Sequence, residues 1–127
     1  MVKKTPPIRT RFKLWITDDQ DEILFGSGRI AMLKAIERNR SLKAAAEELN
    51  MSYRSLWGKI KKSEDLLGLK LLERKVGGGG GGSTLTPEAK RLVADFQALQ
   101  NGVARQLEKQ CRGLFSFTLK KRPKDKP

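Results

Sequence analysis

The chain has 127 residues, which suits one domain with extensions, and 38% of them are hydrophobic, enough for a compact core of moderate size. Its 27 Lys and Arg against 14 Asp and Glu leave a net charge of +13, which opposes compaction and attracts a polyanion such as nucleic acid or an anionic membrane. The absence of histidine excludes histidine-based hydrolases and His-ligated zinc sites, and the single cysteine, Cys111, excludes an internal disulfide and fits a reducing cytoplasm, so neither catalysis nor a cofactor is expected.

No apolar run approaches the roughly 20 residues that a membrane helix needs, and MVKKTPPIRTRFKLW has no apolar segment of the secretory kind, so no membrane partner is expected. Residues 1–11 are basic, contain Pro6-Pro7 and read as a loose arm. In 12-FKLWIT-17, Phe12, Leu14 and Ile16 alternate with Lys13 and Trp15, the period of a half-buried strand. Asp18 to Asp21 is turn chemistry, and 22-EILF-25 is the return strand of a hairpin ending before Gly26-Ser27-Gly28. From Arg29 to Arg38, Ile30, Leu33 and Ile36 recur at helical spacing, and Asn39-Arg40 closes that helix.

The next two helices are short and joined by a tight turn. Ser41 can cap the first, since its oxygen can satisfy an otherwise orphaned backbone N–H, and LKAAAEEL that follows is rich in helix formers. Asn50 suits the left-handed position ending it, and Ser52 caps a further helix that runs to Leu67 before Gly68. Ala46 supplies the small residue where two helices cross, while Ala45, Leu49, Met51, Leu56 and Ile60 lock them together. Such a helix-turn-helix fixes its second helix so that the N-terminal end can enter a DNA major groove. Tyr53, Arg54, Trp57, Gly58 and Lys61 fall opposite Leu56 and Ile60, with Lys59 and Lys62 adding positive charge. Arg54 suits a guanine edge, and Ser52 and Tyr53 suit phosphate or base. Trp57 reads equally as core and as contact. Gly58 implies a close approach, either of DNA or of another helix.

After Gly68, LKLLERKV reads as a strand, six glycines follow from Gly77 to Gly82, and Ser83-Thr84-Leu85 reads as the return strand. A nucleotide-binding P-loop would need GxxxxGK[ST], and the lysine is missing. A linker reading fails because residues 84–92 resume the same small fold. The tract is therefore a hairpin tip, a wing, in which Gly78, Gly79 and Gly80 can lie along a phosphate backbone or minor groove while Arg74 and Lys75 neutralise charge; a surface insertion without a DNA role is the alternative.

Thr86-Pro87-Glu88 starts a last helix that runs to about Gln110. On it Leu92, Phe96, Leu99, Val103 and Leu107 form a narrow stripe, closer to a coiled-coil seam than to a broad core face, and its length outreaches so small a core. Two copies are expected to pair through it, with its first half resting on the domain. The end of the chain, rich in Lys and Pro, reads as a second electrostatic arm.

The run SLKAAAEELNMSYRSLWGKI, followed by LGLKLLER and LTPEAKRL, resembles the winged helix-turn-helix domain of LysR-type regulators. SYRSLW, the glycine-rich segment after Glu73-Arg74 and TLTPEAKRL make it more similar still to the N-terminal domain of the ModE-type, molybdate-responsive regulators. The resemblance implies a DNA-binding homodimer with Ser52, Tyr53, Arg54, Trp57 and Lys61 in the major groove. ModE-type proteins continue into molybdate-binding domains where this sequence has a basic tail, so no oxyanion site is assigned, and no visible domain supports molybdate or another effector. The expected fold is mainly α with small β-hairpins, a winged helix-turn-helix with a long C-terminal dimerisation helix. The arm spans 1–11, the DNA-binding domain 12–86, the dimerisation helix 87–111 and the tail 112–127. The expected DNA-binding residues are Ser41, Ser52, Tyr53, Arg54, Trp57, Lys61, Lys62, Arg74, Lys75, Gly78, Gly79 and Gly80. The expected function is sequence-specific transcription regulation on double-stranded DNA; an architectural protein that coats DNA by charge, and an adaptor module, are the alternatives.

Overall fold

The computed structural model describes residues 8–75 and 82–115. The chain divides into two compact units, one from Lys13 to Ala98, the other formed by the segment ending at Phe12 and the chain from Leu99 onward.

The first of these opens with an antiparallel hairpin of β1 (Trp15–Thr17) and β2 (Ile23–Gly26), in register Trp15 to Gly26 and Ile16 to Phe25. Asp18 makes the turn, its Oδ1 accepting from the N–H of Gln20 at 2.8 Å and of Glu22 at 3.0 Å. The strand expected from Phe12 begins only at Trp15, because β2 ends opposite Trp15 and residues further back have no strand to pair with. The alternation holds within it: Trp15 faces solvent and Ile16 packs against the core.

Helix α1 (Ser27–Asn39) starts directly after β2, two residues before the expected Arg29, and buries Ile30, Leu33, Ala35 and Ile36. Arg40 ends it in the left-handed region at φ 54°, its N–H bonded to the Ile36 carbonyl at 2.7 Å. Then come α2 (Leu42–Glu48) and α3 (Tyr53–Leu67), the latter closed by Gly68 at φ 69°. Antiparallel β3 (Leu72–Lys75) and β4 (Gly82–Leu85) form the wing, with Leu72 opposite Leu85 and Lys75 opposite Gly82. The base of the wing approaches the α1–α2 corner closely. The Ser83 N–H bonds the Arg40 carbonyl at 3.1 Å, and a Cβ on Gly82 would lie 2.9 Å from that oxygen. The last glycine of the tract therefore has a steric reason.

Helix α4 (Pro87–Leu114) begins at a polar clasp: Thr86 Oγ1 accepts from the Ala89 N–H at 3.1 Å and donates to the Lys70 carbonyl at 2.7 Å. Leu33, Ile36, Leu56, Ile60 and Leu71 are fully buried at the centre of the core, with Leu85 and Ala89 beside them. Phe96 completes it at 3% exposure, edge-on to Phe25 with ring centroids 5.9 Å apart. This corrects the expected seam. Phe96 fills its own chain's core, and Leu92 packs partly against that core, so neither is a free seam residue.

In the other unit the Glu108 carboxylate accepts from both the N–H and the hydroxyl of Thr10, each at 3.0 Å. The arm expected over 1–11 is thus pinned at Thr10 rather than loose there. These two hydrogen bonds, led by the backbone one and helped by Arg112 and Arg9, hold the Glu108 carboxyl below the usual range. From Leu99 onward no residue of α4 is buried: Leu99 is exposed, and Val103 and Leu107 are half-exposed.

Candidate nucleic-acid interface

The interface is built on α2, its turn and α3. Ser41 caps α2, accepting from the Ala44 N–H at 3.1 Å, and Ser52 caps α3, accepting from the Ser55 N–H at 3.0 Å. Between them Asn50 takes the left-handed conformation at φ 56°, and the Met51 N–H bonds the Ala46 carbonyl at 3.0 Å. Ala45 and Ala46 are buried, which lets the helices approach, and Leu56 and Ile60 insert from α3. Outside this joint, Glu48 accepts from the side chains of Arg38 and Asn39, and Asn39 also reaches the Ala35 carbonyl at 2.8 Å. Arg38 and Asn39 hold the Glu48 carboxyl below its ordinary range. A buried pin sets the far half of α3. Ser63, 1% exposed, donates to the Leu24 carbonyl at 2.6 Å and accepts from Arg29 at 2.8 Å, and burial pulls the Arg29 guanidinium down from its ordinary value.

With α3 fixed in this way, its opposite face is left uncovered by the described residues. Tyr53 is 45% exposed and Trp57 43%, with Ser52, Arg54 and Gly58 exposed beside them. Trp57 therefore belongs to the surface and not to the core. Around Gly58, its chain neighbours and own helix backbone aside, no atom of the described residues lies within 4 Å of where a Cβ would stand, so no other helix among them approaches it. Lys61 pairs with Asp65 at 3.5 Å, and Lys62 leans toward the first hairpin to meet Glu22 at 3.8 Å. Both pairs are solvent-exposed and worth at most about 1 kcal/mol, so a polyanion displaces them readily. Ser41 is half-buried with its oxygen committed to the cap, which limits it as a ligand.

Arg74 is exposed on β3. Gly78, Gly79 and Gly80, and the side chain of Lys75, lie outside the described residues. Sequence reasoning missed the residues that join α3 to the wing. Glu64 accepts from the N–H groups of Leu71 at 2.8 Å and Leu72 at 3.2 Å. Lys70 and Ser83 then line the cleft between α3 and the hairpin. No local pattern marks such a tie, since it depends on how the chain folds back after Gly68. Among the described residues no helix is long and apolar enough to cross a membrane.

Comparison with known proteins agrees with this architecture. The family model for bacterial regulatory helix-turn-helix proteins of the lysR family matches residues 28–90, from α1 through the wing to the start of α4. The molybdenum-pterin-binding protein MopB of Rhodobacter capsulatus is 39% identical over 83 residues, covering 65% of this chain and 31% of that protein. The DNA-binding transcriptional dual regulator ModE of Escherichia coli K12 is 35% identical over 81 residues, covering 63% of this chain and 31% of that protein. The chain thus spans about a third of the length of these relatives. Among solved structures, that of the BenM_DBD/benA site 1 DNA complex matches with a TM-score of 0.53 and 22% identity, over 71% of this chain and 97% of that one, a likeness of fold. The chain carries, over residues 28–90, the helix-turn-helix domain of the lysR family of bacterial regulatory proteins.

Proposed function

We propose that this protein is a sequence-specific, DNA-binding transcriptional regulator that works as a homodimer. The observation carrying this reading is the free face of α3, where Tyr53, Arg54, Trp57 and Lys61 stand together opposite the buried Leu56 and Ile60. The N-terminal half of α3 enters the major groove. Arg54 reads a base edge, Ser52 and Tyr53 engage phosphate or base, and Gly58 leaves room for the groove wall. The wing, with Arg74 and Lys75 at its root, lies along the adjoining backbone. A net charge of +13 supports polyanion binding in general, and the likeness to the DNA-binding transcriptional dual regulator ModE of Escherichia coli supports regulation over an architectural coat. The dimer forms through Leu99, Val103 and Leu107 on the half of α4 where no residue is fully buried among the described residues. Pairing of this kind favours two-fold symmetric sites.

The test is selection of bound duplexes from a random-sequence pool at about physiological salt, with the winner assayed against Arg54→Ala. An enriched inverted repeat is expected, preferred over random duplex by about 10³ or more. Arg54→Ala should cost about 1–3 kcal/mol on that repeat and flatten the preference at one base position. Tight binding without enrichment would overturn the sequence-reading claim in favour of coating by charge.

A further inference from the structure

Between α3 and the wing lies an open cleft of about 420 Å³. Its floor is apolar, from Leu42 and Ile60, and its rim carries Trp57 and three cations, Lys61, Lys70 and Arg74. One carboxylate, Glu64, also lines it, but its Oε2 is committed to the N–H groups of Leu71 and Leu72, and the cations outnumber it. Lys61 is loosely held by Asp65, whereas Lys70 and Arg74 make no ion pair among the described residues. Ser83 completes the wall. It is 6% exposed, its N–H is spent on the Arg40 carbonyl, and its hydroxyl has no hydrogen-bond partner among the described residues.

A hydroxyl free to donate, beside cations with no ion pair among the described residues, fits an anion with acceptor oxygens, and an apolar floor against Trp57 fits a sugar. We propose that this cleft seats one phosphodiester of the DNA backbone, with Lys70 and Arg74 neutralising it, Ser83 donating to it and Trp57 packing on the adjacent deoxyribose. The inference rests on the DNA-binding reading and adds to it a fixed point at the root of the wing. A phosphate held there sets the register in which Arg54 meets the bases, although the seat itself reads no sequence. Lys70 precedes β3 and Ser83 lies on β4, so the seat depends on the pairing of the two strands.

The experiment uses the full chain and the duplex selected from the random pool, with a scrambled duplex beside it. Binding is measured as a function of salt for the wild type, Lys70→Ala and Lys70→Arg, and again with single methylphosphonates placed along each strand. Each neutralised phosphate contributes a slope of about 0.9 in log K against log salt. Lys70→Ala should therefore lower the slope by about one and weaken both duplexes by the same factor, and Lys70→Arg should restore it. One methylphosphonate position per half-site should weaken the wild type but leave Lys70→Ala unchanged. Full additivity of Lys70→Ala with every methylphosphonate, or an unaltered slope, would overturn the seat while leaving DNA binding intact. A titration with inorganic phosphate separates the other source of the same chemistry. Saturation that shifts Lys70 and Ser83 resonances without weakening duplex binding would assign the cleft to a free anion and also overturn it. Failure of the wild type to retain any duplex would bring down the regulator reading itself, and the seat with it.

Discussion

The Glu64 carboxylate, on the last turn of α3, accepts the Leu71 backbone N–H at 2.8 Å and so ties the helix to the strand that begins the wing. Leu71 is 1% exposed, so water cannot replace that acceptor. The same oxygen takes the Leu72 N–H, and Thr86 locks the neighbouring Lys70 and Leu71 carbonyls from the other side. Four backbone groups of one short segment are thereby satisfied by two residues far apart in sequence. Glu64→Ala should leave the Leu71 donor unsatisfied and cost about 1–3 kcal/mol in urea unfolding, and Glu64→Gln, which keeps an acceptor, should cost less. Equal midpoints for Glu64→Ala and wild type would show that the tie contributes nothing.

Helix α4 divides by burial into two stretches with different expected responses. Phe96, against Phe25 in the core, should cost about 3–5 kcal/mol when cut to alanine, because the ring leaves a cavity the neighbours cannot close. Leu99 is 46% exposed, so Leu99→Asp should leave the monomer's unfolding nearly unchanged. Under the homodimer reading the same substitution should halve the mass seen in sedimentation. A stable dimer of Leu99→Asp would remove the seam from the proposal.

The two stretches of α4 also mark how far the sequence could be read. The period of Leu92, Phe96, Leu99, Val103 and Leu107 is continuous, yet the structure spends its first members on the core and leaves the rest free. Period alone reports that a face is apolar and says nothing of what covers it. Local chemistry was far more legible. The caps at Ser41, Ser52 and Thr86, the left-handed Asn50 and the stop at Gly68 all stand where side-chain oxygens and backbone sterics dictate. Arg40 was different: a left-handed arginine has no sequence signature, and its carbonyl meets a strand more than forty residues on. The α3 face was legible because Leu56 and Ile60 fix which side is inside. The cleft was not, since Lys70 and Ser83 meet only through the hairpin.

Gly82 gives a sharp test of the wing's anchorage. Its neighbour is a backbone oxygen, the Arg40 carbonyl, which cannot swing aside as a side chain would. Gly82→Ala would place a Cβ at 2.9 Å, so either β4 or the α1–α2 corner must shift. Such overpacking costs about 1–3 kcal/mol. The expected result is a lowered thermal midpoint together with faster exchange of the Ser83 amide, whose bond to Arg40 is the one displaced. By contrast Gly58→Ala meets open space and replaces a weak helix former, so it should raise stability by up to about 1 kcal/mol. In the same protein it should weaken duplex binding if the groove wall passes there. A Gly58→Ala variant that is both more stable and binds unchanged would take Gly58 out of the interface.

Two carboxylates should shape the acid side of the stability curve. Glu48 is held low by hydrogen bonds from Arg38 and Asn39, and Glu108 by the N–H and hydroxyl of Thr10. In each case the folded state keeps the carboxylate ionised at a pH where the unfolded chain has begun to bind a proton. The unfolded state thus holds more protons than the native state in that window, and stability rises with pH. Their contribution is complete above the unfolded glutamate value of about 4.3 and drains away as pH falls through the lower folded values. Both groups are solvent-accessible, so salt should blunt the charge-based part of the effect and leave the hydrogen bonds from Thr10 less affected. Thermal midpoints measured from about pH 6 down to about pH 2 should therefore drop most steeply below the ordinary carboxylate range. Glu48→Gln and Glu108→Gln should each flatten that drop, with Glu108→Gln the less sensitive to added salt. A profile equally steep in the double variant would place the acid sensitivity on other carboxylates.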